Sequence, residues 1–201
     1  MLPVTFGALK QSKIKTLLRA NTFPLYVFQV ALFMSQYFTL FKLEPRFDID
    51  LTILEKNYLS LATQTHPDKF VATSAFEQKQ AMMMATTVNE AYRILKSPLN
   101  RAAYLLSLQG INADAAEHTR FAPEFLRQQM EWREALEDAR AERNEPALEA
   151  LSHTIIQAQQ TLYQQIQTTL TEPPDYETAA QLVRQGRFFD KLKNEIQAAL
   201  P

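Results

Sequence analysis

The sequence of 201 residues contains no cysteine, only 3 glycines and no apolar run long enough to cross a bilayer. The absence of cysteine excludes disulfides, thiolate catalysis and cysteine-ligated metal sites on this chain. The scarcity of glycine argues against a phosphate-binding loop, since neither GxGxxG nor GxxxxGK occurs. A formal net charge of −1 gives no reason to expect nucleic-acid binding. What is abundant, chiefly Ala, Leu, Glu and Gln, favours an all-α protein.

Residues 1–33 differ from the rest of the chain, because they carry bases and no acid. The apolar run at the end of this stretch, Phe23–Met34, is about a dozen residues long and is too short to span a membrane. A basic leader before a short apolar run has the outline of a targeting segment, but no small-residue cleavage site follows it. Residues 1–33 are therefore interpreted as an extension outside the native module, with a true leader or membrane-proximal segment as the alternative. The bases are Lys10, Lys13, Lys15 and Arg19.

An antiparallel pair of helices is predicted around a short polar loop at residues 66–74. Asp50 is a favourable N-cap for the first helix, which should stop before the proline of the loop. The second helix runs over about 75–96, and Ser74 with Glu77 has the spacing of a capping box. Apolar residues repeat at three- and four-residue steps in both helices, which predicts that they pack together. These residues are Leu51, Leu54, Tyr58 and Leu61 in the first helix, and Met84, Val88, Ala91 and Leu95 in the second.

Two shorter helices are predicted to flank this pair. The first covers residues 36–42, and Pro45 breaks it. The other covers 98–108, with Ser97 as N-cap, a proline in the first helical position, and Gly110 as C-cap. The inward side chains of the first short helix should be Tyr37, Leu40 and Phe41.

Residues 111–122 are predicted to be a linker that leads into three long helices over 123–143, 146–171 and 175–199. Asn144-Glu145-Pro146 and Glu172-Pro173-Pro174 separate them. Short connections make neighbouring helices antiparallel, so this part should be a three-helix bundle. The sequence therefore predicts an all-α chain in which a helical hairpin with short helices is joined to a C-terminal bundle.

The loop sequence Thr65-His66-Pro67-Asp68-Lys69-Phe70, together with its flanks, resembles the HscB family, the J-domain co-chaperones of iron–sulfur cluster assembly. The resemblance covers about residues 34–199, and in this family Met34 would be the natural start. It implies a J domain over 34–110 and a client-binding bundle over 123–199. The matching flanks are Tyr37-Phe38-Thr39-Leu40-Phe41, Asn89-Glu90-Ala91-Tyr92, Leu95-Lys96-Ser97-Pro98-Leu99, Arg101-Ala102-Ala103-Tyr104-Leu105-Leu106 and Leu108-Gln109-Gly110.

The resemblance implies that Asp68 meets an arginine in the ATPase domain of an HscA/DnaK-class chaperone, while His66 and Pro67 set the loop shape. A carboxylate–guanidinium pair is strong and directional. The consequence would be faster ATP hydrolysis and capture of the client. J domains typically add a basic face on the helix before the loop; here that helix offers mainly Lys56, where relatives carry more Lys or Arg, and Lys69 lies next to the loop. The structural alternative makes Asp68 a local cap and both lysines ordinary surface.

The first bundle helix has two distinct faces. One holds the expected core residues Phe125, Trp132, Leu136 and Ala139. On another side Leu126 and Met130 lie one turn apart among acids, which is typical of a docking stripe. The resemblance implies that this stripe binds the iron–sulfur scaffold protein IscU. The implied scaffold-binding residues are Leu126, Met130, Glu131, Glu134, Asp138 and, on the last helix, Phe188, for which a place in the core is the alternative.

This sequence departs from the family pattern at three positions. Thr65 stands where a tyrosine often precedes His-Pro-Asp. Arg127 stands where the family favours an apolar residue, and Asp138 replaces a longer acid. Residues 120–201 hold 9 basic and 13 acidic residues, so this half should prefer a basic partner surface.

We therefore expect a co-chaperone and not an enzyme, with no cofactor, metal, nucleic-acid or membrane partner. His118 and His153 lie far apart and have no metal-ligand spacing. The expected compartment is the bacterial cytoplasm, or the mitochondrial matrix if residues 1–33 are a leader. Three alternatives stay open: a J-domain adaptor with another client, an enzyme using His66, and a membrane-tethered interaction protein.

Overall fold

The computed structural model describes residues 36–115, 121–171 and 173–200, and the regular structure in these ranges is entirely helical. The predicted all-α fold is confirmed. Residues 1–33, and with them the interpretation given above, lie outside the described residues. His118 also lies outside them. Among the described helices, none has the length and hydropathy required to cross a bilayer. The helices are α1 (Gln36–Leu40), α2 (Leu51–Gln64), a 3-10 helix (Pro67–Phe70), α3 (Ala75–Lys96), α4 (Pro98–Leu108), α5 (Pro123–Ala141), α6 (Glu145–Thr169) and α7 (Tyr176–Gln197).

Helix starts follow the capping residues closely. The Asp50 carboxylate accepts hydrogen bonds from the backbone N–H groups of Thr52, at 2.8 Å, and Ile53, at 3.1 Å. At the start of α3, the Ser74 hydroxyl accepts from the Glu77 N–H, and the Glu77 carboxylate accepts from the Ser74 N–H at 2.9 Å. The Ser74 hydroxyl also donates to the Glu77 carboxylate at 2.7 Å, and this hydrogen bond, together with the one from the Ser74 N–H, lowers the pKa of Glu77. Both predicted N-termini of the hairpin are therefore confirmed.

Helix ends agree less well, since α1, α5, α6 and α7 each end two residues before the predicted position. In two cases the cause is visible in the backbone. Lys42 and Arg143 adopt left-handed conformations, with φ of 55° and 53°, just beyond α1 and α5. Glycine or asparagine is the usual residue at such a position, so lysine and arginine carry no sequence signal for it.

We expect Asp50→Ala to lower the free energy of unfolding by about 1 kcal/mol, because it leaves two N–H groups at the start of α2 without an acceptor. Thermal and urea unfolding followed by circular dichroism would measure the loss. Asp50→Asn is the matched control, since asparagine caps helices about as well and should retain most of the stability. An equal loss in both variants would show that charge, and not capping, holds this helix end.

Helices α2 and α3 pair through an apolar cluster that also takes in α1. The Tyr58 ring stacks on Tyr92 at a centroid distance of 3.9 Å, and the Tyr58 hydroxyl donates to Asn89 at 3.1 Å. Each fully buried Phe, Leu or Val side chain stabilises the hairpin by roughly 1.5–3 kcal/mol. The buried members are Phe38, Phe41, Ile49, Leu54, Val88, Ala91 and Leu95.

Some predicted core positions are wrong. Leu51, in the first turn of α2, and Met84 are both exposed. Near the loop the buried residue of α3 is Ala81, and Met84 is exposed although it lies on the same side of the helix as the buried Val88 and Leu95. In α1 the fully buried aromatic beside Phe41 is Phe38, which the periodicity did not select. Tyr37 and Leu40 are only partly buried.

Helix α6 packs against both α5 and α7, which confirms the three-helix bundle. Helix α4 also contributes its Leu99, Ala102 and Leu106 to the same core. On α7, a Cβ at Gly186 would lie 2.3 Å from the Leu99 Cδ2 atom, so glycine permits α4 and α7 to approach closely. Since Leu105 also packs against the hairpin cluster, α4 joins both cores.

Arginines of α7 hold the start of the segment that the sequence predicts as a linker. The buried Arg184 donates to the carbonyl oxygen of Ala113 at 3.0 Å. Arg187 donates to the side-chain oxygen of Asn100 at 2.7 Å and forms an ion pair with Asp114 at 3.1 Å. The described part of this segment, residues 111–115, is therefore packed onto the bundle.

Candidate functional site

The His-Pro-Asp loop lies where α2 ends and a 3-10 helix begins. Helix α2 is closed by Thr65, whose backbone N–H and hydroxyl both donate to the Leu61 carbonyl oxygen at 2.9 Å. Pro67 occupies the first position of the 3-10 helix, and its fixed φ suits that start. His66, Pro67, Asp68 and Lys69 are all exposed, so the loop presents them to solvent at the tip of the hairpin.

His66 and Asp68 do not form a catalytic pair. The imidazole Nδ1 accepts from the backbone N–H of Asp68 at 3.3 Å and lies 3.5 Å from the Asp68 carboxylate. The first contact requires an unprotonated Nδ1 and the ionic contact requires a protonated one, so they exclude each other. In the first of these contacts the imidazole caps the 3-10 helix, in whose first turn Asp68 lies. The Asp68 side chain is 85% exposed and faces solvent.

A shallow apolar groove of about 420 Å³ adjoins the loop on the side of α2. It is lined by Leu59 and Ala62 together with His66, Asp68 and Lys69. Leu59 is exposed, and the prediction from sequence missed it. The signal was present, because Leu59 follows Lys56 by three residues on the outer face of α2. Both lysines are exposed, but only Lys69 lines this groove with Leu59, and Lys56 lies nearer the start of α2.

The two faces of α5 are arranged as predicted. Leu136 and Ala139 are buried, and Phe125 and Trp132 pack partly buried against the bundle core. Leu126 and Met130 point outward, 44% and 71% exposed. Glu131, Glu134 and Asp138 are also exposed.

The acids beside this stripe are not equivalent. Arg127 forms ion pairs with Glu124 at 2.6 Å and Glu131 at 2.9 Å, and Gln128 donates to the other Glu131 oxygen at 2.9 Å. Glu131 therefore has an exposed ion-pair partner within its own helix. Glu134 and Asp138 form no ion pair with another described residue.

Phe188 is half-buried at the junction of α5 and α7. Its ring meets Phe125 edge-on at 5.9 Å and stacks with Trp132 at 6.2 Å. The guanidinium of Arg133 lies 5.5 Å from the ring centroid. Phe188 therefore helps to hold α5 against α7, and only its exposed edge is available to a partner. No sequence signal pointed to Arg133, because its partner is distant along the chain.

Other candidate chemistry is sparse in the described part of the chain. His153 is exposed on α6. No group of three or more His, Asp or Glu side chains among the described residues is placed to hold a metal ion. The arrangement is suited to binding partners through an exposed carboxylate at the hairpin tip and an acid-rimmed apolar stripe on the bundle.

Comparison with known proteins points to one family. Residues 121–197 match the family model described as the HSCB C-terminal oligomerisation domain. A co-chaperone protein HscB homolog from Neisseria meningitidis serogroup C is 59% identical over 167 residues, which are 83% of this chain and 100% of the relative. The homolog from Burkholderia cenocepacia is 42% identical over 166 residues, covering 83% of this chain and 94% of the relative.

Solved structures give the same result. Chaperone HscB from Vibrio cholerae superposes with a TM-score of 0.71 at 37% identity, over 81% of this chain and 95% of that structure. The human co-chaperone HscB superposes with a TM-score of 0.74 at 29% identity, over 81% of this chain and 80% of that structure.

Proposed function

Because this chain belongs to the HscB family of co-chaperones, we propose that it stimulates the ATPase of an HscA/DnaK-class chaperone and delivers the iron–sulfur scaffold protein IscU to it. The observation that carries the proposal is the exposed Asp68 carboxylate at the tip of a well-packed hairpin. The relatives are named as co-chaperones, and we assign no bond chemistry to this chain. The bacterial relatives favour the cytoplasm as the compartment.

We assign chaperone binding to residues 34–110, through His66, Pro67 and Asp68. The Tyr58–Tyr92 stack and the buried cluster keep α2 and α3 together, so the loop between them is held in a defined position. A guanidinium of the chaperone would meet the Asp68 carboxylate without displacing an internal partner other than the His66 imidazole. Lys69 beside the loop and Lys56 on α2 add the positive charge that an acidic chaperone surface would attract.

We assign IscU binding to residues 123–199. Leu126 and Met130 supply the apolar contact, and the exposed edge of Phe188 extends it. The acids offered to a basic partner are Glu131, Glu134 and Asp138, of which Glu131 also forms an exposed ion pair with Arg127. Arg127 stands where the family favours an apolar residue, so the apolar surface of this stripe is narrower than the family pattern implies.

The proposed mechanism is tethering. When one protein holds the client at one site and the chaperone at another, the second encounter becomes intramolecular and its effective concentration rises. The core shared by α4 and the bundle supports this role, because it joins the two assigned arms through packing. The described part of residues 111–122 is also anchored by Arg184 and Arg187.

The decisive experiment measures ATP hydrolysis by the purified chaperone with this chain alone, with IscU alone, and with both. Stimulation by the chain, and a larger effect with IscU present, would support both assignments. Stimulation without any IscU effect or binding would instead favour a J-domain adaptor with another client. No stimulation would refute the proposal.

We expect Leu126→Ala combined with Met130→Ala to weaken IscU binding about ten-fold or more, since paired apolar anchors commonly contribute about 1 kcal/mol or more each. Isothermal titration calorimetry would measure the change. Ile156→Ala is the matched control, because Ile156 is a similarly exposed apolar residue of the bundle, on α6. Unchanged affinity in the double variant, with helicity retained, would exclude the stripe as the binding site.

A further inference from the structure

Helix α3 carries exposed apolar side chains that neither core uses. Phe76, Met83 and Met84 are exposed, although nearby Ala81 and Val88 of the same helix are buried. Exposed apolar residues are common singly, but a contiguous group marks a surface where something binds. This group was not selected by the periodicity, which placed Met84 in the core.

These three residues line a groove of about 930 Å³ together with Thr65 and Phe70. At about 100° per residue, Phe76, Met83 and Thr87 lie within about 40° of one another and Met84 lies about 60–100° to one side of them, so the groove covers this stripe and the side of it that carries Met84. Met82 lies about 100° or more from all three and does not line the groove. The chain thus offers two adjacent methionines of nearly equal exposure, Met82 at 61% and Met83 at 62%, only one of them in the groove.

The groove is continuous with the His-Pro-Asp loop. Thr65 directly precedes His66, Phe70 directly follows Lys69, and both line the groove. A partner that reaches Asp68 therefore lies beside the groove in the same encounter. At the near end, the Glu77 carboxylate is already bound to Ser74, which leaves Lys79 as the other charged residue of the lining.

We propose that this groove binds an uncharged, apolar segment of the same ATPase chaperone, as a second contact beside Asp68. The inference rests on the proposed function and extends its chaperone site along α3. Methionine suits this role because its flexible, polarizable side chain adapts to the surface it meets. A second copy of the chain is a poorer occupant, since stable protein interfaces bury about 1,200–2,000 Å² and this groove accommodates only a few side chains.

The test compares the double variant Met83→Gln, Met84→Gln with the single variant Met82→Gln. Glutamine has a helix propensity similar to that of methionine, so circular dichroism should show unchanged helicity. Steady-state ATPase assays with increasing co-chaperone give the half-maximal concentration and the maximal rate. We expect the double variant to raise the half-maximal concentration about ten-fold with the maximal rate retained, and Met82→Gln to leave both unchanged. Phe76→Gln, a second variant in the groove, should raise the half-maximal concentration in the same direction.

Several results would overturn the inference. Unchanged half-maximal concentrations in the groove variants would show that the chaperone does not use the groove, and equal shifts with Met82→Gln would show only a general effect of surface hydrophobicity. A dimer in sedimentation that the double variant abolishes would assign the groove to a second copy, and loss of IscU binding would assign it to the client. If the unmodified chain does not stimulate the chaperone ATPase, the proposed function itself is refuted. Comparing the chaperone with and without the unmodified chain separates that result from the outcomes above.

Discussion

Asp68→Asn is expected to abolish stimulation of the chaperone ATPase while the protein remains folded. Asparagine keeps the shape of the side chain but removes the charge that pairs with a guanidinium. Removing one partner of a charge pair that becomes buried on binding costs about 2–5 kcal/mol, which is at least about thirty-fold in affinity. Because the Asp68 side chain is 85% exposed, the variant should lose almost no stability. His66→Gln should act in the same direction, because it removes the imidazole that caps the 3-10 helix.

The measurement is the rate of ATP hydrolysis by the chaperone at increasing concentrations of each variant. Glu55→Gln is the matched control, since Glu55 is also an exposed acid of the hairpin but lies on α2 outside the loop. This variant should stimulate the chaperone ATPase as much as the unmodified chain does. That result would show that the position of the lost charge, and not the change in net charge, decides stimulation. Thermal melting shows whether each variant is folded. If Asp68→Asn stimulated fully, the assignment of chaperone binding to this loop would be refuted.

Arg101→Met is expected to lower the free energy of unfolding by about 2–5 kcal/mol, the largest stability effect that we predict. Arg101 is only 6% exposed. Its guanidinium donates to the carbonyl oxygens of Phe47 and Leu95 and lies 5.2 Å from the Phe47 ring centroid. It therefore joins α4, the end of α3 and the segment before α2.

Two opposing terms decide the size of this effect. Burial disfavours the charged guanidinium and lowers the pKa of Arg101 to about 10. Replacing Arg101 by methionine therefore removes the unfavourable desolvation of that charge. Methionine also leaves two carbonyl oxygens without a donor, and each unsatisfied buried group costs about 1–3 kcal/mol. At neutral pH the arginine stays protonated, and the hydrogen bonds should dominate.

Urea unfolding of Arg101→Met and of the control Arg93→Met would test this expectation. Arg93 forms an ion pair with Glu90 on the surface of α3, and its side chain is largely exposed. Exposed ion pairs contribute about 0–1 kcal/mol, so this variant should be nearly neutral. Similar losses in the two variants would contradict the structural role given to Arg101.

Local sequence signals predicted the helices well because they act within a few residues. The capping box of Ser74 and Glu77, the cap at Asp50 and the breakers between the long helices depend only on neighbouring groups. The exposure of Leu126 and Met130 also followed from periodicity, since a helix buries only one side. Glu131 was predicted as a docking acid from its position, and its pairing with Arg127 depends on side-chain geometry that spacing alone leaves open.

By itself the sequence determined the all-α class, the hairpin with an exposed polar tip and the inner and outer faces of α5, because helical periodicity and capping are short-range properties. Only the tertiary structure decided that α4 packs into the bundle core against Gly186, that Arg101 is buried, and that Met84 lines an open groove. The physical reason is range: Arg101 meets Phe47 across 54 residues and Arg187 meets Asn100 across 87. An amphipathic pattern specifies which face of a helix is buried. Packing between distant segments decides which residues that face contacts.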